Sequence, residues 1–309
     1  MFDILVLAEA ILVGALTAAA VMRLIAYRAR REGARWSWAI GAGVLAASGV
    51  TDQWPHWPPV EDRARFLTLQ VPLTIVVESL AAATRSRRMA WLLRFALAAI
   101  AAPILLHNSV YLTVLDGRDA AEWSPVEATT ILAGLAAMAV LIWAALTALA
   151  ARTSTLAVYS VLILDAYAAA VTVMLSGYFM GGLLGLGLAG AMTGAAMAAY
   201  NRAPLPPVPG SLGMGVIGIF AVVVVGLFFG NLSTALAGCL LLAPLLAWAV
   251  ELPRLSAFAP RWRGVQRLAW VGVPLIVALT IAERKFAAAF AAHSSQRGVA
   301  RHIDAADAP

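Results

Sequence analysis

Long apolar segments are the feature that most constrains this chain. They follow one another along its 309 residues and are separated by short polar or proline-rich stretches. A helix needs about 20 apolar residues to cross the roughly 30 Å hydrocarbon layer of a bilayer, and most of the segments approach that length. We predict an all-α, polytopic integral membrane bundle of ten transmembrane helices, or nine if the last lies on the membrane surface. The ten predicted segments are residues 3–27, 36–50, 66–83, 91–115, 128–151, 155–176, 181–200, 212–229, 232–250 and 268–282.

The composition indicates the same class of protein. The chain is 62% hydrophobic and only 12% charged, whereas soluble domains are usually about 45–50% apolar and about 25% charged. The lipid bilayer is therefore its expected partner. A net charge of +6 would suit a nucleic-acid-binding protein, but the arginines cluster in short loops between apolar segments, so we exclude nucleic acid. The single cysteine, Cys239, excludes an intrachain disulfide and a cysteine-based metal cluster.

The arginines also predict the topology. Fourteen lie in one set of alternate loops and three in the other set. Because cytoplasmic loops carry the excess of positive charge, we expect a bacterial inner-membrane protein with its N-terminus outside and residues 201–211 in the cytoplasm. This proline-rich connector divides seven helices in residues 1–200 from three further helices in residues 212–309. The polar tail after residue 282 is expected to be poorly ordered towards its end.

Ionisable residues within the apolar segments are the first candidates for function. Asp165 lies about 16 Å along its segment, near the bilayer centre, where a charge costs at least about 3 kcal/mol. Glu9 and His107, with Asn108 beside it, are expected in the outer half of the membrane, and Glu78 about 8–10 Å from its cytoplasmic end. This graded set predicts a proton or cation pathway. The alternative is that each residue only bridges helices by hydrogen bonds.

A second candidate site is the proline-rich loop that precedes the third segment. Its carboxylates, histidine and arginine could bind an anionic or lipid-linked substrate at the outer membrane surface. We favour the alternative of an interfacial loop with tryptophans at headgroup level. The candidate residues are Asp52, His56, Glu61, Asp62 and Arg63.

Glycines spaced four residues apart predict close helix packing. They support contacts within the bundle, and also a homo-oligomer or partner membrane subunits through the Gly-rich helices. The spaced residues are Gly177, Gly181 and Gly185, then Gly190 and Gly194, then Gly226 and Gly230.

Catalytic signatures are missing from the sequence. It contains no HExxH, Walker, GxSxG or aspartate-rich metal motif, so we predict no catalytic residue, no metal and no cofactor, and favour a protein that is not an enzyme. The buried carboxylates favour a small-solute or ion-coupled secondary transporter. A non-catalytic membrane subunit or scaffold of a larger complex is almost as well supported. An enzyme acting on a lipid-borne substrate at the outer surface ranks third.

Overall fold

The structure, a computed structural model, is all-helical. It describes residues 4–28, 32–51, 54, 57–112, 122–200, 212–252 and 262–306, with the side chains in these ranges except those of 26–28, 32–33 and 292–306. These residues form ten helices and no strand. The helices are α1 (Ile4–Arg28), α2 (Glu32–Val50), α3 (Asp62–Ala83), α4 (Arg87–Leu106), α5 (Pro125–Arg152), α6 (Thr155–Leu175), α7 (Phe179–Tyr200), α8 (Gly213–Phe229), α9 (Thr234–Glu251) and α10 (Arg263–Ala306).

Within the described residues, eight of the helices are long and apolar enough to cross a membrane. These are α1, α3 to α7, α9 and α10. Helix α8 is apolar but has only 17 residues, and α2 has 19. The chain therefore has the helices of a multi-pass membrane protein, as predicted.

Serine residues define the starts of three helices. The side chain of Ser124 accepts a hydrogen bond from the Glu127 amide, and the Glu127 side chain accepts one from the Ser124 amide, which starts α5 three residues before the predicted segment. Ser86 and Ser154 accept bonds from the first turns of α4 and α6 in the same way. These caps satisfy amide groups that have no partner within the helix.

Two helix ends differ from the prediction. Helix α4 ends at Leu106, not near residue 115, because the Arg65 guanidinium donates to the carbonyls of Leu105 and His107. The guanidinium takes the place of the backbone amides that would donate to these carbonyls in a further helical turn. At the C-terminus, α10 is helical to Ala306 and so extends well beyond the predicted segment, which ends at residue 282.

Contacts between helix ends place alternate loops at opposite ends of the bundle. We call these the acidic end and the arginine-rich end. At the acidic end, Tyr178 bonds to Asp62, the Tyr111 hydroxyl to the Phe228 carbonyl, and the Asn231 amide to the Ser176 carbonyl. At the arginine-rich end, Arg152 lies over the ring of Trp248 at 5.0 Å, and Arg267 pairs with Glu251.

Helix α7 is mostly buried, and its glycines allow close contact with α1 and α6. A Cβ on Gly190 would lie 2.4 Å from the Ile11 carbonyl oxygen, and one on Gly194 would lie 1.9 Å from that of Ala15. A Cβ on Gly185 would meet the Ala170 side chain at 2.8 Å. No side chain larger than hydrogen fits at Gly190 or Gly194 without moving backbone, so here the spacing of four serves packing within the chain.

This packing predicts a difference between two Gly→Ala substitutions. Gly194→Ala forces α1 away from α7 and should destabilise the protein by about 1–3 kcal/mol. Gly134→Ala on α5 is the matched control, since a Cβ there meets nothing within 4 Å. Thermal unfolding in detergent should show a lower midpoint for Gly194→Ala only. Equal midpoints for the two variants would contradict the close α1–α7 contact.

Candidate functional site

A buried ion pair joins α3 to α4. Arg94 donates from Nε to one carboxylate oxygen of Glu78 at 2.9 Å and from Nη2 to the other at 3.2 Å. The side chain of Glu78 is fully buried and that of Arg94 is 5% exposed. Two parallel bonds between a planar guanidinium and a carboxylate are the strongest form of this pairing. Glu78 therefore has its counterion on the neighbouring helix.

Aromatic rings and a glycine enclose the pair. The Arg94 guanidinium lies 5.4 Å from the ring centre of Trp91 and 5.7 Å from that of Trp143 on α5. Gly213, the first residue of α8, is so close that a Cβ there would lie 2.7 Å from the Glu78 Oε1. The positive end of the α8 dipole thus adjoins the carboxylate. Four helices meet at this pair.

The Glu78–Arg94 pair is absent from the predictions above, although the sequence contains a signal for it. Glu78 is five residues before the end of α3 and Arg94 is seven residues after the start of α4. At about 1.5 Å per residue, Glu78 lies about 8 Å and Arg94 about 11 Å from the short turn that joins the two helices. Opposite charges at similar depth on consecutive antiparallel helices indicate an ion pair.

A cavity of about 520 Å³ opens beside this pair at the arginine-rich end. It lies between the end of α3, the start of α4 and the end of α5, and Arg94 forms part of its wall. Small-molecule sites typically measure about 300–1,000 Å³. The described lining residues are Ala81, Ala82, Thr84, Arg85, Ser86, Arg87, Ala90, Trp91, Arg94, Ala144, Thr147, Ala148, Ala150, Ala151 and Leu212.

Asp165, unlike Glu78, has no counterion among the described residues. It is the middle residue of the 21-residue helix α6 and its exposure is 0%. Neither carboxyl oxygen has a hydrogen-bond partner in the described part of the chain. Isolated ionised carboxylates are very costly in an apolar interior, so in this conformation the group is a neutral acid.

A small void of about 10 Å³ adjoins Asp165, which is room for about one water molecule. Its other lining residues are apolar and come from α5, α6, α8 and α9. One of them is Pro244, next to the point where α9 changes from α-helix, which ends at Leu242, to 3₁₀-helix. The void is lined by Ala139, Ile142, Leu162, Asp165, Val216, Ile219, Phe220, Leu241 and Pro244.

The remaining pathway candidates lie apart from these two sites. Glu9 is exposed on α1. His107 is exposed directly after α4, and Asn108 has the left-handed φ of 54° that asparagine tolerates. His107 was expected inside the helix of residues 91–115, but α4 ends at Leu106, one residue before it. In the parts of the chain that the structure describes, no hydrogen bond joins any two of Glu9, Glu78, His107 and Asp165.

The outer-loop candidates mostly bond within the chain. Glu61 pairs with Arg63, and the buried Asp62 accepts from the Tyr178 hydroxyl at 2.7 and 2.9 Å. Arg65, in the first turn of α3, caps the end of α4. The candidates Asp52 and His56 lie outside the described residues.

The Tyr178–Asp62 bond has a definite direction of donation. Burial, and then the neighbouring Asp62 carboxylate, raise the pKa of the Tyr178 phenol above its ordinary value. The phenol therefore stays protonated at neutral pH and donates to Asp62. This bond ties the loop before α7 to the start of α3.

No protein-family description, no curated protein and no solved structure matches this chain. Its function is therefore argued from its own residues. In the described residues no three His, Cys, Asp or Glu side chains gather as metal ligands would. The two features that could carry function are the Asp165 carboxyl and the cavity beside the Glu78–Arg94 pair.

The ion pair predicts strong coupling between its two members. Arg94→Leu leaves Glu78 buried without a counterion and should cost about 3–5 kcal/mol of stability. Glu78→Leu/Arg94→Leu should be more stable than Arg94→Leu alone, because the double variant leaves no unpaired charge.

Thermal unfolding in detergent measures both variants, and Glu61→Gln is the control. Glu61 belongs to a pair at the membrane surface and is itself exposed, so its loss should change stability little. A double variant that is less stable than Arg94→Leu would contradict the strong coupling.

Proposed function

We propose that this protein is a secondary transporter in which Asp165 carries the coupling proton. The observation that carries the proposal is the Asp165 carboxyl itself, fully buried at the middle of α6 with no hydrogen-bond partner in the described residues. Ionisable groups inside membrane helices are rare, and they commonly mark substrate, ion or proton pathways. A purely structural carboxyl would have a bonding partner on a neighbouring helix.

A change of helix type beside Asp165 supports the same function. Helix α9 is α-helical to Leu242 and 3₁₀-helical from Ala243. Pro244 has no amide hydrogen, so it cannot donate the bond that an α-helix would direct to the Leu240 carbonyl. Many transporters bind substrate or ions near the membrane centre, beside helices with irregular backbone. Here the change from α-helix to 3₁₀-helix lies at the same void as Asp165.

The proton balance follows from the environment of Asp165. With its proton, the carboxyl is neutral and can remain among the apolar side chains of α5, α6, α8 and α9. Without the proton, it is an anion that needs water or a cation. Release therefore requires a second conformation, in which water from one side of the membrane reaches the carboxyl. Transport follows if substrate binding favours one of the two conformations.

We propose that the arginine-rich end faces the cytoplasm of a bacterial cell and the N-terminus lies outside. Arg85, Arg87 and Arg88 follow α3 directly, and Arg152 and Arg267 lie at the same end of the bundle. The excess of arginine at one end is what the positive-inside rule associates with the cytoplasm.

An enzyme at the outer surface is less well supported. Asp62 and Arg65 are buried and bonded inside the protein, which leaves them poorly placed to contact a substrate. A non-catalytic subunit has no observation of its own in its favour, and it becomes one outcome of the transport test.

The test uses the purified protein in proteoliposomes that contain a pH-sensitive dye. Small solutes of several classes are added outside, including organic phosphates, dicarboxylates and amino acids. We expect at least one solute to drive proton movement in the wild type. Asp165→Asn should abolish this proton movement and retain exchange of labelled substrate across the membrane, because exchange requires no net proton release.

Glu9→Gln is the matched control, since it removes a carboxylate that is exposed on α1. This variant should move protons as the wild type does. Proton movement in Asp165→Asn equal to that of the wild type would contradict the role of Asp165. No transport of any solute, together with partner chains that co-purify in mild detergent, would favour the membrane subunit.

A further inference from the structure

The cavity at the arginine-rich end carries positive charge from Arg85 and Arg87. Arg87 starts α4 and Arg85 lies just before it, and both side chains are exposed. Arg94, whose charge Glu78 balances, contributes part of the inner wall. None of the described lining residues is a carboxylate. A concave site with several arginines attracts anions more strongly than a flat surface with the same charges.

Arg94 has donor capacity that Glu78 does not use. Its Nε and Nη2 bind the two Glu78 oxygens, and its Nη1 has no hydrogen-bond partner among the described residues. The pair holds the guanidinium rigidly against Trp91 and Trp143. A ligand in the cavity would therefore meet a donor that is already oriented, which lowers the entropy lost on binding.

The start of α4 adds neutral donors at the same place. Ser86 caps the helix through the Met89 amide, which leaves the amide of Arg87, a lining residue, without a hydrogen-bond partner in the described residues. Helix N-termini bind anions because their free amides and the helix dipole favour negative charge. The hydroxyls of Thr84 and Thr147 also line the cavity.

The rest of the lining is apolar. Several alanines, Trp91 and Leu212 cover much of the wall. The cavity therefore fits a ligand with a compact anionic group at the arginines and an apolar or weakly polar body. Arginine forks and helix N-termini together match the oxygens of a phosphate group.

We propose that this cavity binds an organic phosphate. The source is either a soluble organophosphate or the headgroup of an anionic phospholipid, since both present the same phosphate oxygens. That this organic phosphate is also the transported substrate rests on the proposed function. Binding itself needs no transport and can be measured separately.

The test is ligand binding to the full-length protein in detergent at constant ionic strength. The soluble probe is glycerol 3-phosphate, the lipid probe is phosphatidylglycerol, and succinate serves as a non-phosphate anion. Thermal shift and native mass spectrometry measure binding. We expect a phosphate probe to bind and to stabilise the wild type, and succinate to do so at least about ten times more weakly.

Arg85→Gln/Arg87→Gln should weaken phosphate binding by about tenfold or more, because it removes two charged donors. Both side chains are exposed, so the variant should fold. Arg88→Gln is the matched control, because Arg88 is an exposed arginine on the same turn that does not line the cavity. Its affinity should equal that of the wild type.

Each result has one interpretation. Binding of glycerol 3-phosphate indicates a soluble ligand, and binding of phosphatidylglycerol alone indicates a headgroup site. No binding of either phosphate, or equal losses in Arg88→Gln and Arg85→Gln/Arg87→Gln, would overturn the assignment. Asp165→Asn should retain phosphate binding, so a failure of proton coupling remains distinguishable from a failure of this site.

Discussion

A carboxylate inside a membrane needs either a partner or a proton, and Glu78 and Asp165 illustrate the two cases. Glu78 has a partner, since Arg94 binds both of its oxygens. The pair orients α3 against α4 and holds Arg94 between Trp91 and Trp143. The start of α8 approaches so closely that only glycine fits beside Glu78. The geometry of the arginine-rich end depends on this interaction.

Asp165 has no such partner. Its surroundings are apolar, and the adjoining void has room for about one water molecule. The two carboxyls therefore differ in their surroundings. Glu78 is fixed by a counterion beside the cavity. In the proposed transport cycle Asp165 gains and loses a proton, and the change of helix type in α9 lies beside it.

Much of the fold could be predicted from the sequence. Apolar length located each of the ten helices of the described residues. Helix ends that depend on distant groups could not be predicted. Arg65 ends α4 through carbonyls about 40 residues away, and periodicity within α4 contains no sign of that contact. The change from α-helix to 3₁₀-helix near Pro244 could not be predicted either, because the length of an apolar segment does not distinguish the two helix types.

The candidate sites also include features that the sequence predicts and features that it does not. Depth within a helix correctly identified Asp165 as central, because depth follows from residue number alone. The partner of Glu78 required knowing that α3 and α4 pack side by side. A site for an anionic substrate was the less favoured interpretation of the loop before α3. Asp62 and Arg65 bond internally there, whereas Arg85 and Arg87 line an open cavity at the opposite end.

The central claim is that Asp165 holds a proton inside the closed bundle. The most direct measurement is the infrared spectrum of the protein in proteoliposomes at neutral pH, as the difference between wild type and Asp165→Asn. If Asp165 is protonated, the wild type has a carbonyl-stretching band of a carboxylic acid that the variant lacks. If the variant instead loses an ionised carboxylate band, with no change in the acid band, Asp165 is an anion and carries no proton.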